Sequence, residues 1–257
     1  MQRLVARSPP NTLGPSPDRP RPRDMDIAQY RERGYTVLRN AFTPLWTPRQ
    51  MNTLFERWKS IPNDEYRRFA RMFGAGASQM FIFGAPKIQE AVRLLGVRDP
   101  VFLTSPTSHA MGVDATWDGV RSHQDWPALQ TSLNAITVWA PYTKITLDTF
   151  PLEIAPGSHK LGILPAKAGA HYSEVDTAGL EFEPIECEVG DVVIFSVLSV
   201  HRTRTPGAGF RLAVSMRYED ASDPYFIRTG GYSAQRRVIE REIKFMPTEE
   251  ELRGALS

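Results

Sequence analysis

His123-Gln124-Asp125 lies in the middle of the chain, His201 far downstream, and Arg211 shortly after it. Two imidazoles and one carboxylate are the ligand set of a non-haem Fe(II) site that keeps coordination positions open. A fixed guanidinium nearby suits an acidic co-substrate, since its fork matches a carboxylate with two parallel hydrogen bonds where lysine offers a point charge. Side chains two apart on an extended strand point the same way, so an extended His123–Asp125 segment would present both groups to one ion. His201 would arrive from a strand distant in sequence but adjacent in space. Convergence of these groups would make an oxygenase site. Each residue also has a plainer reading: H-x-D arises easily by chance among five histidines, and either histidine alone fits a surface or hydrogen-bonded structural role.

The elements that must position these groups change character along the chain. Residues 1–24 hold six of the 21 prolines and few apolar groups, and read as a disordered tail, with a single domain expected over 25–257. Residues 26–33 look helical, with Gly34 as a C-terminal cap, followed by a short strand at Tyr35–Leu38. Thr47-Pro48-Arg49-Gln50 starts a second helix: threonine caps, proline suits the first position, and glutamine completes a capping box. Met51, Leu54, Phe55 and Trp58 follow at helical spacing as one apolar face. A third helix is expected over 87–95, ended by Gly96.

The remainder reads mainly as strands: Met80–Phe83, Val101–Leu103, Leu133–Tyr142, Phe150–Ile154, Ile185–Val189, Asp191–Val197 and Arg211–Tyr218, separated by turn residues. Helices followed by many short strands point to an antiparallel sandwich or jelly roll backed by helices. In Arg211–Tyr218 one face carries Leu212, Val214, Met216 and Tyr218, and the other Arg211, Ala213, Ser215 and Arg217. If the apolar face packs on a covering layer, the polar one lines a barrel with room beside its small residues. An edge strand with its polar face in water fits the same alternation.

Composition bounds the partners. The chain has 257 residues, 41% of them hydrophobic, enough for one domain with a substantial core. The tail carries five arginines and two aspartates against a total net charge of +2. The rest is therefore nearly neutral and shows no electrostatic footprint for nucleic acid or a membrane surface. One cysteine, Cys187, precludes an intrachain disulfide and reads as a small buried hydrophobe. That fits a reducing compartment, and with no signal-peptide core or membrane-length apolar run the expected location is cytoplasmic.

The segments Y-R-E-R-G-Y-T-V-L-R-N (30–40), R-S-H-Q-D-W (121–126), N-A-I-T-V-W-A-P-Y (134–142), A-P-G-S-H-K-L-G (155–162), V-G-D-V-V-I-F (189–195), V-H-R-T (200–203) and F-R-L-A-V-S-M-R-Y (210–218) occur in this order along the chain. Together they resemble the phytanoyl-CoA dioxygenase family. The resemblance implies a mainly β fold with flanking helices, built on a double-stranded β-helix of jelly-roll, cupin-like kind, that holds Fe(II) and 2-oxoglutarate and uses O2. It implies His123, Asp125 and His201 as metal ligands, and Arg211, assisted by the Thr203 hydroxyl, as the partner of the distal carboxylate. Trp139 would line the co-substrate pocket, although simple core packing also explains it. Two departures stand out: the segment 148–153 lacks the family's acidic-Asn-Gly stretch, and Thr203 replaces a more usual serine.

On this reading the protein is a 2-oxoglutarate-dependent dioxygenase that hydroxylates a small-molecule metabolite and releases succinate and CO2. Little sequence is left over to cradle a CoA carrier, and the oligomeric state is unreadable. The alternatives are a non-catalytic binding module on the same barrel, or another metal-dependent cupin-type enzyme, which would leave Arg211 without a role. Pro156–His159 is expected to shape the loop at the pocket mouth, with His159 structural rather than a ligand. His109 and His171 have no spacing that recruits them. Arg67, Arg68 and Arg71 read as a solvated helical face, with an anionic-substrate contact as a lesser reading. A further lesser reading folds Tyr225, Phe226 and Arg228 over the entrance.

Overall fold

The structure is a computed structural model, and it describes residues 25–44, 46–61, 82–102, 106–112, 119–168, 173–232, 243 and 245–256. Residues 1–24, the cluster Arg67, Arg68 and Arg71, His171, Leu103 and the first two residues of the expected Met80–Phe83 strand lie outside the described residues.

The entry segment forms as its sequence dictates. Helix α1 (Ile27–Arg33) is capped by the Asp26 carboxylate, which accepts from the Gln29 N–H, and ends at Gly34 with φ of 80°. Strand β1 (Tyr35–Leu38) follows directly. Helix α2 (Pro48–Lys59) begins with the reciprocal box: Thr47 N–H donates to Gln50 Oε1 at 2.8 Å, and Gln50 N–H to Thr47 Oγ1 at 3.3 Å. Helix α3 spans Pro86–Leu94. Ile82 and Phe83, expected in a strand, lie in a short helical turn, where both side chains are buried in the outer core.

Two sheets carry the rest. Strands β2 (Pro100–Val101), β3 (Thr107–Met111), β4 (Ile136–Pro141), β9 (Val192–Ser196) and β11 (Arg211–Asp220) join β1 in a six-stranded sheet of order β1-β9-β4-β11-β2. The ten-residue β11 is its spine. One edge pairs antiparallel with β4 from Ala213 to Tyr218; the other pairs with β3 from Arg211 to Ser215 and with β2 at Glu219 and Asp220. The second sheet is β10-β5-β8, made of His201–Thr203, Leu152–Ile154 and Glu183–Ile185. A separate hairpin joins β6 (Ala166–Ala168) and β7 (Ser173–Val175). Strands β3 and β10 were not legible in the sequence, and the expected Ile185–Val189 strand is shifted to Glu183–Ile185, with Cys187 bridging Ile145.

The alternation in β11 separates two cores. Leu212, Val214, Met216 and Tyr218 pack with Ile88, Ala91 and Val92 of α3 and Met51 of α2 on the outer face. Burial of each such side chain stabilises the fold by about 1.5–3 kcal/mol. Ala213 instead joins Tyr35, Trp139, Val193 and Phe195 between the sheets, against Leu152, Ile154 and Ile185. Arg211, Ser215 and Arg217, of the same parity as Ala213, are buried too, so the polar face of β11 points into a barrel and not into water. This is the antiparallel, helix-backed jelly roll of the cupin-like, double-stranded β-helix kind.

Candidate metal and co-substrate site

His123 and His201 meet as a two-residue antiparallel bridge: each backbone N–H donates to the other's carbonyl at 3.0 Å. The bridge extends the free edge of β10 and sets the rings 4.1 Å apart. Asp125 arrives differently from the extended arrangement expected. Pro127 suits the first turn of a helix, so the chain turns at Asp125 (φ −71°, ψ −34°) into the short helix α4 (Trp126–Leu129). The carboxylate still reaches the imidazoles, with Oδ1 lying 3.6 Å from His123 Nε2 and 3.9 Å from His201 Nε2. One ligand atom from each of the three lies within 4.8 Å of the others, and all three residues are buried.

The surroundings orient these atoms. His123 Nδ1 lies 2.7 Å from the Arg121 carbonyl and His201 Nδ1 3.0 Å from that of Ser199, which fixes the proton on Nδ1 and turns both Nε2 atoms toward Asp125. Arg217 and Thr137, neither foreseen as site residues, hold Asp125. Its Oδ2 accepts from Thr137 Oγ1 at 2.7 Å and Arg217 Nε at 3.1 Å, while Oδ1 accepts from Arg217 Nη2 at 2.8 Å. A carboxylate has about four acceptor positions. Three are taken, and the remaining one belongs to the oxygen that faces both imidazoles.

The electrostatics agree. Burial alone would raise the Asp125 carboxyl, but Arg217 and the two histidines hold it well below the usual range. Burial, then His123, pushes His201 down to about 3, so its ring is neutral and able to ligate. Two imidazole nitrogens and one carboxylate oxygen fit Fe(II) with open positions.

Arg211 lies in the same interior with 2% of its surface exposed. Its Nη1 donates to the Phe150 carbonyl and Nη2 to Thr203 Oγ1 at 3.3 Å, and its guanidinium sits 5.8 Å from the Trp139 ring. Among the described residues Nε has no partner and no carboxylate pairs with the group. Burial pushes it down to about 9, which leaves it cationic at neutral pH. A buried cation without a counter-ion is costly, and an anionic ligand relieves it. Phe150 belongs to the segment that departs from the family pattern and has φ of 53°.

A central cavity of about 30 Å³ is lined by His109, Trp139, His201, Thr203, Arg211 and Arg217, among others. A larger cavity of about 490 Å³ on the outer face of the small sheet is lined in part by Arg121, Glu153, Arg202 and Arg204. It is lined by none of the three clustered donors, and Arg202 and Arg204 already pair with Glu153.

One lesser expectation needs correction. Tyr225 does not cover the entrance: in helix α5 (Pro224–Arg228) it is fully buried with its ring edge-on to Trp126, 5.5 Å away, bracing the helix that follows Asp125. Arg228 pairs instead with Glu251. The Pro156–His159 turn is clamped to the end of α1, through Gly157 N–H to the Arg33 carbonyl and His159 Nε2 at 3.2 Å from that of Arg31. His159 is structural, as expected. Gln124, between two site residues, ties the loops around it together by donating to the Gly162 and Leu198 carbonyls at 2.7 Å each.

The profile of the phytanoyl-CoA dioxygenase family (PhyH) matches residues 30–212. The chain belongs to the phytanoyl-CoA dioxygenase family. Family membership makes it a 2-oxoglutarate-dependent non-haem iron enzyme, and the donor set above fits that assignment. Similar solved structures share the fold. The epimerase SnoN, in complex with Fe3+, alpha ketoglutarate and nogalamycin RO, has a TM-score of 0.58 at 17% identity, covering 76% of this chain and 82% of its own. The apo non-heme monooxygenase ThoJ has 0.57 at 19%, covering 77% and 78%. EvdO2 from Micromonospora carbonacea var. aurantiaca, complexed with 2-oxoglutarate, has 0.56 at 14%, covering 76% and 90%. Comparison with curated protein sequences gives no match. No helix among the described residues is long and apolar enough to cross a membrane.

Proposed function

We infer that this member of the family hydroxylates a small-molecule metabolite, with His123, Asp125 and His201 holding Fe(II) and with Arg211, Thr203 and Trp139 forming the 2-oxoglutarate subsite in a single domain after the tail. The observation that carries this reading is the pairing of a three-donor cluster with a buried guanidinium that has no carboxylate partner among the described residues. The chemistry such a centre supplies when loaded is oxidation of substrate, coupled to conversion of 2-oxoglutarate and O2 into succinate and CO2. The protein's own contribution is orientation and dryness. Arg211 anchors one end of the diacid, Thr203 offers its hydroxyl beside it, and Trp139 and Phe195 keep the wall apolar. The central cavity of about 30 Å³ is narrow for a five-carbon diacid, so its entry requires side chains to move. Arg211 then exchanges the Phe150 carbonyl for the carboxylate. The retained Asp125 favours hydroxylation over halogenation, since its oxygen fills the place a halide would take.

Anaerobic titration with Fe(II) and 2-oxoglutarate tests the reading. A weak visible charge-transfer band that needs both components is expected. Absence of the band, together with absence of metal-dependent 2-oxoglutarate affinity, sinks it. Succinate release across metabolite pools then identifies the substrate, and stimulation by acyl-CoA thioesters alone refutes the small-metabolite assignment.

A further inference from the structure

His109 stands on β3 directly opposite Ala213 of β11, and its ring lines the central cavity with Arg211, Trp139 and His201. Cross-strand partners project to the same face of a sheet, and the small side chains of Ala213 and Ser215 leave the space beside it open. Its Nε2 lies 3.0 Å from Ser215 Oγ. That hydroxyl is buried and accepts from Arg217 Nη1 at 3.2 Å. A guanidinium only donates, so the Ser215 proton must go elsewhere. Among the described residues the acceptor beside it is His109 Nε2. The chain Arg217 to Ser215 to His109 therefore runs in one direction. It makes Nε2 an acceptor and leaves the ring proton on Nδ1, which has no hydrogen-bond partner among the described residues. Burial, then Arg211 and Arg217, holds the ring well below its usual range, so it is neutral.

We propose that His109 is a further co-substrate-binding residue: its Nδ1–H, set by the Arg217–Ser215 chain, donates to an oxygen of the diacid anchored on Arg211. The assignment rests on the 2-oxoglutarate reading and adds a residue to it. A neutral donor between two guanidiniums binds an anion without adding a third positive charge to a buried space.

The test measures 2-oxoglutarate affinity of the Mn(II)-loaded protein by calorimetry, with Mn(II) affinity of each variant as the folding control. His109→Leu should weaken 2-oxoglutarate about 10- to 100-fold, the range for a lost hydrogen bond to a charged group. His109→Asn, whose amide nitrogen takes the place of Nδ1, should stay within about threefold of wild type. His109→Gln, which places its amide at the Nε2 position, should resemble His109→Leu. The ring's 15N shifts should show a protonated Nδ1 and a bare Nε2, and Ser215→Ala should abolish that preference. Wild-type affinity in His109→Leu with normal Mn(II) binding overturns the proposal, as does a defect confined to the substrate's KM. Failure of the wild type to bind 2-oxoglutarate at all refutes instead the function on which the proposal rests.

Discussion

Replacing Arg217 with methionine isolates what its guanidinium does. The change keeps a long stem but removes the fork on Asp125, at 2.8 and 3.1 Å, and the Nη1 bonds to Thr107 at 3.3 Å and Ser215 at 3.2 Å. Asp125 then keeps the Thr137 hydroxyl and the two facing imidazoles but no cationic partner among the described residues, in a site with 3% of the residue exposed. Removing one partner of a buried ion pair costs about 3–5 kcal/mol, because the remaining charge stays desolvated and uncompensated. In a chain of this size about 1 kcal/mol moves Tm by roughly 2–4 °C. EDTA-treated Arg217→Met should therefore melt roughly 6–20 °C below wild type. A divalent cation supplies the missing positive charge, so Mn(II) should raise the Tm of the variant by more than it raises that of the wild type. The assay is a thermal melt of both proteins in EDTA and in saturating Mn(II). Equal melting in EDTA, or a Mn(II)-induced shift no larger in the variant, refutes the claim that Arg217 is the counter-ion of a metal-ligating carboxylate.

Three further outcomes follow from the same geometry. Arg211→Ala should weaken 2-oxoglutarate binding by about 2–5 kcal/mol, the cost of deleting one side of a buried charge pair, with Mn(II) affinity retained; calorimetry on the Mn(II)-loaded protein checks both. Glu219 is fully buried, takes hydroxyl bonds from Thr131 and Ser132, and is pushed by burial up to about 7 from 4.5. A carboxyl that holds its proton more tightly when folded stabilises fully below about pH 4.5 and loses that contribution as pH rises to about 7. The stability of wild type relative to Glu219→Gln should thus fall by about 3 kcal/mol across that window in urea denaturation, and a flat difference contradicts it. Gly34→Ala places a Cβ 2.5 Å from His159 Nδ1 and 2.6 Å from Ser199 Oγ at a φ of 80°. It should destabilise by more than about 1 kcal/mol and, because the Ser199 carbonyl orients His201, lower Mn(II) affinity as well, measured by melting and by metal titration.

The legible parts of the molecule were those written in local pattern. Gly34 and the Thr47–Gln50 box announced two helix ends through their own hydrogen bonds. The alternation of β11 separated an outer core from a barrel interior, although the sequence could not say whether its polar face met water. What escaped depends on partners distant in sequence. Arg217 shares a face with Arg211, yet nothing in the spacing said that its guanidinium would close on Asp125, 92 residues away. Its parity was the available signal. His109 is unremarkable in sequence because its neighbours Ser215 and Ala213 come from β11, across a register the sequence does not print. Asp125 reads as part of a strand, and the Trp126-Pro127 helix start overrides that local reading.

Both guanidiniums, Arg211, proposed to anchor the diacid, and Arg217, which clamps the Asp125 carboxylate, are borne by one uninterrupted strand, gripped along its length by β4 on one edge and by β3 and β2 on the other. β11 is thus a ruler with two marks, and the distance between them is fixed by backbone pleating, not by loop closure. Because the pleat repeats every two residues, inserting one residue between Arg211 and Arg217 would expel one of the two from the barrel, whereas inserting two would keep both inside while stretching the gauge by about 7 Å. On the proposed reading, the anchor on β11 can therefore be moved relative to the Asp125 clamp, with both still inside the barrel, only in steps of two residues.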